Sequence, residues 1–341
     1  MPKTKTDRLP GNRGDRVHIH FENNADLGEV FEVTRKRVTH ALSRHAALLG
    51  KVKFTIGRDG DVFERAMRTA HVLFGYKFDR TELAKKAPQL RWVHAHGAGV
   101  GHLMPLDWLP RGAVLTNSRG IHGDKAEEYP IMALLMLNNE IPRNVSHQRS
   151  ARWEQLFTDR IGSKTVIIIG VGHIGGGAAK WAKRFGLHVI GVRRSGKKHP
   201  HVDEMYQPQS LCRILPKADF VLVTAPHTKD THHLMGAKEI GLMKRGAGLI
   251  NFSRANLVDY DALRVRLEGD ELSSILDVFD PEPLPTSSPL WRTRNLIITP
   301  HAASDDKSHY TPRTLNLVFQ NMERFIQGKS LRNRVSAKLQ Y

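Results

Sequence analysis

The chain has 341 residues, 40% of them hydrophobic and 25% charged, which describes a folded chain of about two domains rather than a disordered one. Its single cysteine, Cys212, excludes an intrachain disulfide framework, and no apolar run approaches the roughly 20 residues of a membrane-spanning helix. Lys and Arg number 52 against 34 Asp and Glu, a net charge of +18, yet the longest like-charged run is Arg35-Lys36-Arg37; charge spread in this way suits a solvated surface with an anion site, not a nucleic-acid track.

The first sixteen residues are basic and polar, without the apolar segment of a secretory signal, so a loose tail and a cytoplasmic location are expected. RVHIHF (16–21) then alternates like a strand, and Leu27, Val30, Phe31, Val38, Ala41, Leu42, Leu48 and Leu49 follow helical spacing. KVKFTI (51–56), HVLFG (71–75), RWVHAH (91–96) and AVLT (113–116) read as further short strands, most of them separated by helical patterns. An apolar helix is predicted over 126–139, followed by a polar connector with Trp153 and Phe157. From Lys164 onward come six short apolar runs: TVIIIG (165–170), LHVIGV (187–192), DFVLVT (219–224), AGLINF (247–252), SSILDV (273–278) and NLIIT (295–299). Continuous apolar strands of this length suit a parallel sheet covered on both faces. A last helix is predicted over 308–327.

The first of those six strands runs into Gly170-Val171-Gly172-His173-Ile174-Gly175. This is G-x-G-x-x-G with a strand before it and a helix after it, the context in which the pattern binds a dinucleotide pyrophosphate. Gly170 allows the tight turn, Gly172 the approach of the phosphates, and Gly175 close packing of helix on strand. An enzyme that uses NAD usually has an acid about 20 residues further on, for the ribose 2′-hydroxyl. Here Arg193-Arg194-Ser195 stand at that point, which favours a 2′-phosphate and hence NADP(H), with NAD(H) still possible.

Ligands of open α/β sheets bind beyond the carboxyl ends of the strands. Arg254 follows the fourth of the six runs, Glu282 the fifth and His301 the sixth. An Arg clamps a carboxylate and polarises the neighbouring carbonyl; a His donates a proton near neutral pH; a Glu beside that His fixes its tautomer and favours its charged form. Beside a nicotinamide, such a set reduces a 2-oxo acid to a 2-hydroxy acid. The nineteen histidines, including His94/His96, His199/His201 and His232-His233, lack the cysteine partners common in structural zinc sites, and no metal is expected.

From about residue 90 to 328 the chain resembles the D-isomer-specific 2-hydroxyacid dehydrogenases, within them the glyoxylate/hydroxypyruvate reductases. The resemblance rests on INFSRANLVD (250–259), LDVFDPEPLP (276–285), ITPHAAS (298–304), HGAGVGHL (96–103) and TAPHTKDTHHLMG (224–236). It implies α/β architecture in two domains with a cleft between them: a discontinuous, flavodoxin-like substrate domain (1–120 and 305–341) and a doubly wound, Rossmann-type dinucleotide domain (121–304). It implies catalytic roles for Arg254, Glu282 and His301, with Arg254, His301 and the backbone of Ala98 and Gly99 holding substrate. Around the cofactor it implies Gly170, Gly172, His173, Ile174, Gly175, Arg193, Arg194, Ser195, Ala225, Pro226, Thr231, Phe252, Ser253 and Asp277, with Pro226 near the adenine and Asp277 near the nicotinamide amide. A homodimer is expected, with a small-molecule acid as partner and neither nucleic acid nor membrane. The chain departs from the family in having Ala255 after Arg254, where Gly is usual and where a methyl fits only if φ is negative. It also has Val100-Gly101-His102 in the substrate loop and PHAAS after the last strand. Three rivals are weighed here: a dinucleotide-sensing corepressor of the same fold, a basic nucleic-acid-binding protein, and a formate or phosphite oxidase. Intact Glu282 and His301 weigh against the first, and Glu282, where formate enzymes carry Gln, against formate oxidation.

Overall fold

Two parallel sheets absorb nearly all of the apolar runs. The computed structural model describes residues 16–123 and 125–339, so the polar tail expected at the N-terminus lies, up to residue 15, outside the described residues. The chain forms two compact units, one of Met1–His122 with Asp306–Tyr341, the other of Gly123–Asp305.

The first unit holds strands β1 (Val17–Asn23), β2 (Val52–Arg58), β3 (Val72–Gly75), β4 (Trp92–Ala95) and β5 (Val114–Asn117), in the order β2-β1-β3-β4-β5. Every pairing is parallel, giving the flavodoxin-like order 2-1-3-4-5. One face of the sheet puts Val17, Ile19, Phe21, Phe74 and Trp92 against Leu315, Val318, Phe319 and Met322 of the helix Tyr310–Ile326. Those helix positions recur at three- and four-residue intervals, the stripe that covers a sheet. The other face buries Leu73, Val93 and Leu115 under Phe63, Met67 and Leu83.

The helical spacing read from Leu27 to Leu49 does not make one helix. Only Arg35–Leu42 is α-helical, flanked by the 3-10 turns Glu29–Phe31 and Ala46–Leu48. Thr34 sets the start by accepting a hydrogen bond from Arg37 N at 3.2 Å, the N-cap contact. The apolar residues outside that helix keep their spacing because Val33 and Leu48 pack on the same core from the flanking segments.

The second unit carries β6 (Thr165–Ile169), β7 (His188–Val192), β8 (Glu204–Tyr206), β9 (Phe220–Val223), β10 (Ala247–Asn251), β11 (Leu272–Leu276) and β12 (Leu296–Ile298). The sheet order is β12-β11-β10-β9-β6-β7-β8, again parallel throughout. The sequence predicts six strands here and the sheet has seven. The addition is β8, three half-buried residues at the sheet edge with no apolar run to mark them. Along β6, Ile167 and Ile169 enter one core and Val166 and Ile168 the other, so both faces are covered. Ala133, Leu134 and Leu137 of the helix Lys125–Asn138, with Ala178, Ala179 and Ala182 of the helix His173–Arg184, cover one of them. The strand order reverses between β6 and β9, the switch point at which such sheets bind ligands. No helix among the described residues is long and apolar enough to cross a membrane.

Candidate active site

The glycine turn sits at that switch point. Gly170 has φ +102°, and a Cβ there would lie 2.4 Å from Ala225 N, so only glycine fits. A Cβ on Gly175 would lie 2.3 Å from Gly170 O. Gly172, by contrast, faces open space within 4 Å, which leaves room for a ligand to approach the backbone. Gly172 precedes the helix His173–Arg184 without any side-chain cap, so the first-turn N–H groups stay available to an anion. Thr224 secures the turn from β9 by donating from Oγ1 to Gly170 O at 2.7 Å. This set of a cradle without side chains, an uncapped helix start and a switch point fits a dinucleotide pyrophosphate.

The basic triplet after β7 is partly engaged. The Arg193 guanidinium donates to Lys198 O at 2.8 Å and Val171 O at 3.4 Å, drawing the basic loop toward the glycine turn. Arg194 and Ser195 are exposed. In the loop after β9, Thr231 Oγ1 donates to Pro226 O at 2.7 Å and accepts from Thr228 N at 2.8 Å, closing a compact turn. The Ser253 hydroxyl donates to Ala225 O, tying the β9 and β10 loops together. Phe252 is buried against Tyr129, with ring centroids 5.5 Å apart.

Arg254 is exposed just past β10, and its loop is held from below. Asn251, fully buried, donates from Nδ2 to Arg254 O and to Tyr260 Oη, each at 3.0 Å, and accepts from Ser253 N at 3.1 Å. The Tyr260 hydroxyl donates to Val278 O at 2.8 Å, and burial raises its phenol well above the usual range. Ala255 does not fall among the residues of positive φ, so its methyl replaces the more usual glycine without backbone strain.

His301 and Glu282 meet after β12 and β11. Nδ1 of His301 lies 2.7 Å from Glu282 Oε2, and Oε1 of the same carboxylate accepts from Phe279 N at 2.7 Å. Burial works to raise the Glu282 carboxyl. Hydrogen bonds from His301 and from the Phe279 N–H, with the charges of His301 and Arg254, outweigh it and hold the group below the usual carboxylate range. His301 is in the left-handed region, φ +49°, unusual for a side chain other than glycine, and its N–H is fixed on Asp277 O at 2.8 Å. Asp277, 1% exposed, accepts from Thr299 Oγ1 at 2.6 Å, Ala302 N at 3.2 Å and Ala303 N at 3.1 Å. Burial raises its carboxyl in spite of those bonds. With Nδ1 engaged by the carboxylate, His301 presents Nε2 as the atom able to exchange a proton.

In the first unit, Ala98 and Gly99 follow β4. Ala98 O accepts from Asn117 Nδ2 at 2.7 Å, while the N–H groups of Ala98 and Gly99 have no acceptor among the described residues. Sequence reasoning missed Asn251, Thr299 and Thr224. All three carried the same signal, a polar side chain at the end of an otherwise apolar run, which has to find partners once buried. Of the tempting histidines, His94 is buried between Thr116 and Ser118, at 2.7 and 3.1 Å, and burial pushes it down to about 3. Among the described residues no three His, Cys, Asp or Glu are grouped to hold a metal ion.

Comparison with known proteins identifies the family. A family profile described as D-isomer specific 2-hydroxyacid dehydrogenase, NAD binding domain, matches residues 131–303. The chain belongs to the D-isomer-specific 2-hydroxyacid dehydrogenase family. A glyoxylate reductase of Korarchaeum cryptofilum is 30% identical over 270 residues, 76% of this chain and 80% of that one. A family member from Xanthobacter autotrophicus Py2, solved in complex with NADPH and MES, superposes with a TM-score of 0.82 at 27% identity, covering 96% of this chain and all of that one. A probable 2-hydroxyacid dehydrogenase of Rhizobium etli CFN 42, in complex with NADP, HEPES and L(+)-tartaric acid, gives 0.78 at 25% identity, covering 96% of this chain and 100% of that one. As a member of this dehydrogenase family the chain uses a nicotinamide dinucleotide, and the profile places the dinucleotide domain over the second unit's sheet.

Proposed function

We propose that this dehydrogenase reduces a small 2-oxo acid of the glyoxylate or hydroxypyruvate kind to the D-2-hydroxy acid, and that it prefers NADPH. The observation that carries the reading is the His301–Glu282 pair at 2.7 Å, on the sheet edge that also bears Arg254 and the glycine turn. The cofactor, when bound, supplies the hydride. Gly170 to Gly175 and the start of the helix His173–Arg184 hold its pyrophosphate. Arg193, Arg194 and Ser195 receive the 2′-phosphate, and the backbone at Ala225, Pro226, Phe252 and Ser253 lines its course. Arg254 clamps the substrate carboxylate and polarises the 2-oxo group. His301 gives the proton from Nε2, while Glu282 fixes the imidazole and balances its charge. Asp277 anchors the His301 backbone and faces the carboxamide. The open N–H groups of Ala98 and Gly99 suit a carboxylate acceptor.

Support for the substrate class comes from the glyoxylate reductase relative, and for NADPH from the ligand of the Xanthobacter structure. The test is a panel of NADPH-dependent reductions with glyoxylate, hydroxypyruvate, pyruvate, phenylpyruvate and bulkier 2-oxo acids. Highest kcat/KM on glyoxylate and hydroxypyruvate supports the reading, and highest kcat/KM on phenylpyruvate overturns the substrate class.

We also propose a homodimer. A groove of about 700 Å³ runs between Ile131, Met132, Leu135 and Met136 on one helix and Trp181 of another with Phe185 just past its end, and Trp153 and Phe157 are 94% and 87% exposed. A groove lined mainly by apolar side chains suits a protein interface. Sedimentation that reports a monomer at micromolar concentration rejects the dimer.

A further inference from the structure

Arg264 and Arg292 line one cavity of the second unit, and the arginines two residues after each, Arg266 and Arg294, are engaged elsewhere. Arg266 pairs through Nε with Glu271 and donates to Ile240 O at 2.8 Å and Met243 O at 3.2 Å. Arg294 holds Asp270 at 2.9 and 3.1 Å. Arg264 and Arg292 form neither an ion pair nor a side-chain hydrogen bond among the described residues, and both line the same cavity of about 400 Å³. Its other walls are Glu268, Thr286, Ser287, Ser288 and Pro289. Glu268 stands four residues after Arg264 on the helix Tyr260–Glu268, a spacing that permits a salt bridge, yet the two do not pair. Nε of Arg264 is shielded from solvent and has no acceptor among the described residues.

We propose that this cavity is a second anion site, separate from the cofactor and substrate positions, for a small oxyanion that carries a proton or hydroxyl of its own: hydrogen phosphate or a phosphate monoester. The two guanidiniums supply forked donors for the oxygens, and the Thr286, Ser287 and Ser288 hydroxyls add more. Glu268 decides the class. A carboxylate among the donors repels an anion that has only acceptors, such as sulfate, and accepts a hydrogen bond from one that offers P–OH or C–OH. The neutral contribution of the hydroxyls and the two-to-one ratio of arginine to glutamate leave the site positive overall.

The test is isothermal titration of the full-length protein at about pH 6, near the second ionisation of a phosphate monoester, with inorganic phosphate, glycerol 3-phosphate and sulfate in separate runs, each with and without NADPH. One phosphate bound per chain, unaffected by NADPH, and at least tenfold weaker sulfate support the proposal. Tighter glycerol 3-phosphate than inorganic phosphate identifies an organic monoester as the ligand, and the reverse identifies free phosphate. Arg264→Gln with Arg292→Gln should weaken phosphate at least tenfold with turnover in phosphate-free buffer unchanged. Arg292→Gln alone, an exposed position, reports the same loss should the double variant misfold. Glu268→Gln should erase the preference for phosphate over sulfate. Phosphate displaced by NADPH, sulfate binding as tightly as phosphate, or an isotherm unchanged by the arginine variants each overturns it, and none of these results touches the reductase assignment.

Discussion

His301 Nδ1 and Glu282 Oε2 lie 2.7 Å apart across nineteen residues of chain, each brought to the edge of the sheet by a different strand. Replacing His301 with Ala should lower kcat by roughly 10² to 10⁴, the usual worth of a placed proton donor. Cofactor affinity measured by fluorescence should stay within a few-fold, because the imidazole acts on the substrate oxygen. A variant that keeps near-normal kcat at neutral pH removes His301 from the chemistry.

The same pair has a pH signature. The Glu282 carboxyl is held below its ordinary range, so its contribution to folding is complete above the ordinary glutamate value of about 4.3 and is lost as pH falls through the lower folded value. Melting curves from neutral to acid pH should therefore fall less steeply for Glu282→Gln than for the parent below about pH 4.3. An identical acid slope shows that the pair adds nothing to stability.

Arg254→Lys should raise KM for the 2-oxo acid and lower kcat together, although the charge is kept. An ammonium cannot reproduce the planar fork on a carboxylate. Steady-state kinetics like those of the parent place the carboxylate elsewhere.

Gly170→Ala should abolish cofactor binding and destabilise the protein. A methyl there meets Ala225 N at 2.4 Å, both partners are backbone, and φ is +102°. Calorimetry and cofactor titration read both effects, and a variant that melts and binds like the parent contradicts the fitted turn.

The proposed preference for NADPH rests on Arg193 and Arg194. Hydrogen bonds to charged groups contribute roughly 1.5–3 kcal/mol each, and about 1.4 kcal/mol is tenfold, so kcat/KM should favour NADPH at least tenfold. Arg193 already donates to two carbonyls, so phosphate capture competes with those bonds. Arg193→Asp should cut NADPH affinity sharply and leave NADH affinity equal or better. Raising salt should weaken NADPH binding more than NADH binding. An equal or better kcat/KM with NADH in the parent reduces the arginine pair to basic surface.

Much of the second unit can be read from the chain because its strands are buried on both faces and therefore nearly continuous in Val, Ile and Leu. Strand β8 escapes this reading, since an edge strand of Glu204, Met205 and Tyr206 needs no apolar run. The segment around Leu27 to Leu49 misleads for the opposite reason: Val38 and Ala41 of one short helix and Leu48 of a separate 3-10 turn reach the same core, and the spacing imitates a single helix. The placement of Arg254, Glu282 and His301 just past strand ends is legible because the apolar strands fix where each loop begins. The left-handed backbone of His301 and the Asp277–Thr299 bond are not, because both depend on partners supplied by the completed sheet.

The helix Tyr310–Ile326 belongs to the first unit although it comes last in the chain. It carries Phe325 to within 5.8 Å of the Trp92 ring and Glu323 to within 2.8 Å of His45. On the ribosome the order of synthesis and the order of completion are therefore inverted. Residues 17–117 emerge first with half of their sheet uncovered, and they wait while the whole second unit is made. Domains generally fold as units as they emerge, so the nucleotide-binding unit can close its core before the unit that precedes it. A nascent chain stalled before residue 310 leaves Trp92, Phe21 and Phe74 with only the cover that Val33, Val38, Ala41 and Leu48 give, and it is at this stage of synthesis that the first unit's core is most exposed.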